Sequence, residues 1–216
     1  MDVTSLELDD MELRLDGTRF TFLVDGVRHV ASLPSIGEPG VLAALEEIEL
    51  QLASGESVAA AIAAAEARPP QDRHMTVADI RGLTILDDTH GATKDDVGAA
   101  LRSLVQLTPA GARSVAVLGE FSSEPAGYVE EHDAIGRLIV RLNVGKLVAV
   151  GHGARHLASA AGLEGSWDGE SVIVGTPEEA YDLLRDELRA NDVVLVKGAR
   201  SAGLSPLVDR LIGDAS

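Results

Sequence analysis

Two short polar runs hold the side chains best suited to chemistry: Asp87-Asp88-Thr89-His90-Gly91 and Lys197-Gly198-Ala199-Arg200-Ser201. Each directly follows an apolar stretch that reads as a strand. Asp88 and His90 could contact a nucleotide ribose or a metal. Lys197, Arg200 and Ser201 could clamp a carboxylate or a phosphate beside a helix N-terminus. Plainer readings stand beside these: Asp87 or Asp88 caps the following helix, and Lys197 and Arg200 are surface charges. His152 and His156 are four apart and could share a helix face as a metal pair. Two histidines without a nearby carboxylate are a thin signature for zinc, so no metal ligand is assigned. His29, His74 and His132 read as solvent-facing or structural, and Glu130 and Glu131 as first-turn acids that favour the helix dipole. No GxxxxGK[ST] cradle and no GxSxG elbow occurs, and Gly151-His152-Gly153 lacks the third glycine of a dinucleotide fingerprint. No catalytic residue is assigned.

These runs need a scaffold, and the chain is long enough to build one. It has 216 residues, 45% of them hydrophobic and only 3% aromatic, so the core is aliphatic. Eighteen Lys and Arg against 35 Asp and Glu leave a net charge of −17. That balance repels phosphates, so neither nucleic acid nor an anionic membrane is an expected partner. The absence of cysteine excludes disulfides, thiolate zinc sites and cysteine nucleophiles. No stretch of apolar residues is long enough to span a bilayer. The opening MDVTSLELDD lacks the apolar region of a secretory signal, which makes the cytoplasm the expected location.

The first 35 residues read as an antiparallel meander of MELRL (11–15), RFTFLV (19–24) and VRHVAS (27–32). Asp16-Gly17 and Asp25-Gly26 supply the turns, because a tight hairpin needs positive φ at both central positions. Its apolar face, Met11, Leu13, Leu15, Phe20 and Phe22, is expected to be covered by two helices over 40–67. Ser57 can cap the second, and Pro69-Pro70 ends it. From Thr76 onward strands and helices alternate: strands at 82–88, 114–120, 146–151, 171–175 and 192–198, helices at 94–105, 130–143, 154–161, 177–189 and 204–212. Apolar strands alternating with helices imply a mostly parallel sheet covered on both faces. The expected fold is therefore α/β. It comprises a small α+β segment at 1–70 and a Rossmann-like unit at 71–216. Ligands then bind beyond the carboxyl ends of the strands. That rule selects the two polar runs together with Gly119-Glu120-Phe121, Gly151-His152-Gly153 and Gly175-Thr176.

Several of these stretches resemble one family. Ile85-Leu86-Asp87-Asp88, Ala116-Val117-Leu118-Gly119-Glu120, Glu131-His132-Asp133-Ala134-Ile135-Gly136 and the run Val193 to Ser201 resemble the C-terminal domain of the Mur ligases. EHDAIGRLIVRLNVGKLVAVG (131–151) and EGSWDGES (164–171) resemble most specifically its D-alanyl-D-alanine-adding, MurF-type branch in actinobacterial form. The resemblance covers about residues 72–216. It continues more weakly through 1–70, which resembles the last hairpins and helices of the family's central ATPase domain.

The resemblance implies ATP-dependent ligation of an amino acid or dipeptide to a UDP-linked muramoyl peptide in peptidoglycan synthesis. ATP phosphorylates the acceptor carboxylate, and the incoming amine displaces phosphate. It places Asp88 and His90 at the nucleotide edge, and Lys197, Arg200 and Ser201 in the loop on the dipeptide side. The hinge motif, usually aspartate, a small residue, tyrosine, asparagine, alanine, asparagine, proline, reads Asp88-Thr89-His90-Gly91-Ala92-Thr93-Lys94 here. Glu38-Pro39 stands where a histidine-asparagine pair is usual, and the loop 119–125 lacks its usual leucine-glycine ending. Scaffold positions persist while ATP-facing ones have drifted. The family's P-loop, metal-binding glutamate and modified lysine have no counterpart in these residues.

The expectation is thus a natural short gene encoding a module that is inactive alone. It takes no cofactor by itself, and ATP and Mg only when a partner supplies the P-loop. That partner would carry the family's central and N-terminal domains in trans, with D-alanyl-D-alanine as the candidate small ligand. The alternative is a non-catalytic binding or regulatory protein reusing the scaffold. A small-molecule enzyme using His90 with Asp87 or Asp88 ranks last, because no nucleophile or metal set accompanies them.

Overall fold

A computed structural model describes residues 6–165 and 167–214. The start of the acidic N-terminal run and Ser166 of the 164–171 motif lie outside the described residues. The chain forms two compact units, Met1–Gln71 and Asp72–Ser216.

In the first unit β1 (Leu6–Arg14), β2 (Gly17–Val24) and β3 (Val27–Leu33) form an antiparallel sheet in that order. The β2–β3 turn is as expected, with Asp25 at φ 49° and Gly26 at φ 79°. The first turn differs. Gly17 at φ 144° already belongs to β2 and pairs with Arg14. Glycine is needed there for space, since a Cβ would meet the Leu33 carbonyl. Phe20 and Phe22 stack at 5.5 Å and are covered by α1 (Glu38–Ala53) and α2 (Val58–Glu66) through Val41, Ala44, Ile48, Ala61 and Ala65. Leu15, expected on the covered face, is instead 45% exposed at the turn. Ser57 caps α2 by accepting from the Ala60 amide.

The second unit carries a six-stranded sheet in the order β4-β5-β9-β6-β7-β8. Its strands are β4 (Thr76–Ile80), β5 (Leu83–Asp88), β6 (Ser114–Leu118), β7 (Lys146–Val150), β8 (Glu170–Val174) and β9 (Val193–Lys197). The helices are α3 (Lys94–Leu107), α4 (Tyr128–Arg141), α5 (Arg155–Leu163), α6 (Pro177–Glu187) and α7 (Ser205–Asp214). All neighbours run parallel except β4, an antiparallel edge strand paired with β5. The sequence pattern missed β4, because Thr76–Ile80 is short, half-exposed and only weakly apolar.

Every residue of β6, β7 and β9 is buried, as strands covered on two sides require. Ile85, Val115, Val117, Val194 and Val196 pack against Tyr181 and Leu184 of α6 and Leu207, Val208 and Leu211 of α7. Their alternates, among them Leu86, Ala116, Leu118 and Leu195, are also buried and point to the opposite face, where α3, α4 and α5 lie. Helix α4 approaches α5 closely at Gly136, where a Cβ would meet the Leu157 carbonyl. Among the described residues no helix is long and apolar enough to cross a membrane.

Candidate functional site

β5 leads into α3 on one face of the sheet, while its neighbour β9 leads into α7 on the other. Connections that diverge from adjacent parallel strands open a crevice at their carboxyl ends. Asp88 and Lys197, the last residues of those two strands, are paired in register there. Lys197 Nζ donates to Asp88 Oδ2 at 2.6 Å and to the Gly91 carbonyl at 3.0 Å. Lys197 is 3% exposed and Asp88 5%, so Lys197 is a buried cation and not a surface charge. Burial pushes the Asp88 carboxyl above its ordinary range, against the opposing pull of the Lys197 ammonium. The ion pair ties the start of the β5–α3 loop to the end of β9.

Successive strand residues point to opposite faces, so Asp87 serves the α7 side. Its Oδ1 accepts from the Thr89 hydroxyl (2.7 Å) and amide (3.1 Å), and its Oδ2 from Arg73 (2.9 Å). Arg73 also reaches Asp209 at 2.8 Å, and the Thr89 hydroxyl meets Ser205 at 2.8 Å. Neither aspartate caps α3. Thr93 does, in a reciprocal box with Asp96.

His90 and Arg200 meet one residue further out. Arg200 Nε donates to the His90 carbonyl at 2.7 Å, and its Nη2 contacts His90 Nε2. Arg200 is therefore engaged with the β5–α3 loop. The His90 ring lies on His74, centroids 4.2 Å apart. Burial and the neighbouring His90 hold His74 below the ordinary imidazole range. Ser201 is exposed on the same short 3-10 turn as Arg200.

The β6–α4 loop closes against β9. The Gly119 amide donates to the Lys197 carbonyl (3.0 Å), and the Ala199 amide to the Glu120 carbonyl (2.7 Å). A Cβ at Gly198 would lie 3.2 Å from Gly119 Cα. Sequence reasoning missed the cluster beyond. Tyr128 donates to the Gly153 carbonyl at 3.1 Å and to Glu120 at 3.4 Å. Burial first, then Glu120, raises the Tyr128 phenol above its usual value. His132 is fully buried against Phe121, rings 3.8 Å apart and nearly parallel. It bonds the Tyr128 carbonyl through Nδ1 at 2.7 Å and accepts from the Phe121 amide at Nε2. That pairing requires a neutral ring, and burial lowers its proton affinity accordingly. His132 is a structural histidine.

His152 precedes α5 rather than lying on it, so it shares no helix face with His156. Among the described residues no cluster of three or more metal-ligating side chains forms. An open groove of about 430 Å³ runs past Thr93, Lys94, Asp95, Ser122, Ser123, Glu124 and Glu131. Its three carboxylates make it unfit for a phosphate. Among the described residues no nucleotide cradle forms at these strand ends either, because the Asp88 carboxylate is buried and occupied by Lys197.

The profile of the Mur ligase, glutamate ligase domain matches residues 72–200. The UDP-N-acetylmuramoyl-tripeptide–D-alanyl-D-alanine ligase of Mycobacterium leprae is 40% identical over 195 residues, covering 83% of this chain and 38% of its own. The Mycobacterium tuberculosis H37Rv protein of the same name is 38% identical over 214 residues, covering 91% of this chain and 42% of its own. The chain thus spans about two-fifths of the length of these relatives. The fold is shared with MurF from Acinetobacter baumannii (TM-score 0.83, 22% identity, 96% of this chain and 45% of that one). It is shared also with the Thermotoga maritima MurF ligase solved with ADP (TM-score 0.81, 16% identity, 97% and 46%). A sheet whose first and last parallel strands meet at a buried Asp–Lys pair, and whose sequence matches that domain over most of its length, belongs to the Mur ligase family.

Proposed function

We propose that these residues form the C-terminal part of a D-alanyl-D-alanine-adding ligase acting in the cytoplasm in peptidoglycan synthesis. The observation that carries this reading is the similarity to two mycobacterial ligases of that name, which covers 83% and 91% of this chain. In this reading the 197–201 loop forms the dipeptide side of the ligation site. Asp88 and Lys197 act as its rigid floor, and Arg200 and Ser201 are the groups nearest an incoming carboxylate. Asp88 and His90 border the nucleotide without holding it. Phosphate positioning and charge neutralisation supply most of the rate in phosphoryl chemistry, and no GxxxxGK[ST] motif occurs in these 216 residues. ATP and Mg are therefore held by a P-loop-bearing portion, in the same polypeptide or in a separate one, and these residues do not ligate by themselves.

A second reading has its own support. Lys197 and Arg200 are both engaged by the β5–α3 loop, as expected of a binding protein that reuses the scaffold without its chemistry. Affinity capture of the tagged chain from its host, read by mass spectrometry, and thermal shift with D-alanyl-D-alanine separate the two. Capture of a P-loop protein with a UDP-substrate domain, or a dipeptide-dependent rise in melting temperature, supports the ligase reading. Neither effect, with some other protein captured, supports the second.

A further inference from the structure

The loops at the ends of β5 and β9 are joined by an imidazole contact as well as by the buried ion pair. A guanidinium has only donors to offer. Its contact with His90 Nε2 therefore requires a lone pair there and puts the ring proton on Nδ1. The His90 ring lies on His74 with planes at 38°. His74 Nε2 is buried, with no hydrogen-bond partner among the described residues.

The charged groups facing this stack come from four elements. Arg200 lies on the 3-10 turn, Lys197 on β9, Asp88 on β5 and Asp96 on α3. Both carboxylates are already occupied, Asp88 by Lys197 and Asp96 by the cap of α3. Arg73, next to His74 in the chain, directs its guanidinium to Asp87 and Asp209 instead. A proton added to either ring meets Lys197 and Arg200, and the two carboxylates that favour it, Asp88 and Asp96, are each engaged elsewhere.

We propose that His74 and His90 form an acid-released latch: the neutral pair holds the 199–203 loop to the β5–α3 loop, and protonation frees it. The sign follows from the stack. His74 binds a proton less readily when packed than when released, so the released form gains as pH falls below about 6.5. Asp88 keeps Lys197 and the Glu120 carbonyl keeps the Ala199 amide, which confines release to Arg200 and the residues beyond it. Arg200 and Ser201 are then held in place at neutral pH and mobile in mild acid. The latch stands independently of any ligand for those residues.

Amide hydrogen exchange on the full chain tests it at Ala202 and Gly203, whose amides bond the Ala199 and Arg200 carbonyls. From about pH 7.5 to about pH 5.5, corrected for intrinsic exchange, protection there falls about tenfold, while the Leu188 amide at the end of α6 keeps its protection. His74→Gln with His90→Gln leaves an acceptor for Arg200 and no imidazole in the stack, and protection in that chain does not change across the range. Unchanged protection in the unaltered chain overturns the latch, and so does a doubly substituted chain that loses protection as the unaltered one does. Imidazole NMR on the unaltered chain repeats the test with no substitution. A His74 imidazole that titrates below its ordinary value supports the latch, and one that titrates at the ordinary value overturns it.

Discussion

Removing the Lys197 ammonium strands a carboxylate at a position that is 5% exposed. Lys197→Met is therefore expected to cost about 3–5 kcal/mol, and Lys197→Met with Asp88→Asn distinctly less, because the pair breaks without leaving a buried charge. Urea unfolding of both variants checks this, and a single variant within about 1 kcal/mol of the parent contradicts it. The pH response separates the buried groups by sign. Asp88 is raised above its ordinary value, so the folded form holds its proton longer and stability from this group grows as pH falls. His132 is lowered by burial, so its contribution is complete above about 6.5 and is lost as pH falls from there. A net loss of stability between about pH 7 and about pH 5.5, reduced in His132→Gln, is the expected outcome in thermal melts taken across that range.

Helix ends and helix crossings decide the next level. Thr93 and Asp96 satisfy the first turn of α3 reciprocally, directly beside the β5–α3 loop. Thr93→Ala is expected to cost about 1 kcal/mol and to loosen that turn, which circular-dichroism melts measure. At Gly136 a Cβ would come within 2.8 Å of Ala160 Cβ as well as striking the Leu157 carbonyl. Gly136→Ala therefore forces α4 and α5 apart and costs about 1–3 kcal/mol. Calorimetry checks it; a neutral result shows that the pair slides freely. At this scale much was legible beforehand. Pro177 beside Thr176, and Ser57 before its alanine run, announce their helices through local chemistry alone. The turn at Gly17 and the strand β4 were not legible. Gly17 answers to the Leu33 carbonyl, 16 positions away, and β4 exists because β5 offers it an edge.

The whole molecule carries a net charge of −17. Self-repulsion of that size opposes compactness and is screened by salt. Melting temperature is accordingly expected to rise as NaCl goes from about 10 mM to about 200 mM, where the Debye length falls below about 10 Å. A salt-independent melting temperature contradicts this.

The alternation of apolar strands with helices determined a layered α/β unit without reference to any contact, because period and burial are local properties of the chain. The same is true of the Asp25-Gly26 hairpin and of an aliphatic core. Strand order is not local. Nothing near Val193 in the chain says that β9 enters between β5 and β6, and only that insertion brings Lys197 to Asp88 across 109 positions and Arg200 to His90 across 110. Residue type marked these side chains as able to do chemistry. Tertiary structure decided that Lys197 is already paired, because burial in a sheet leaves no charge unsatisfied, and that the exposed Arg200 is held by His90.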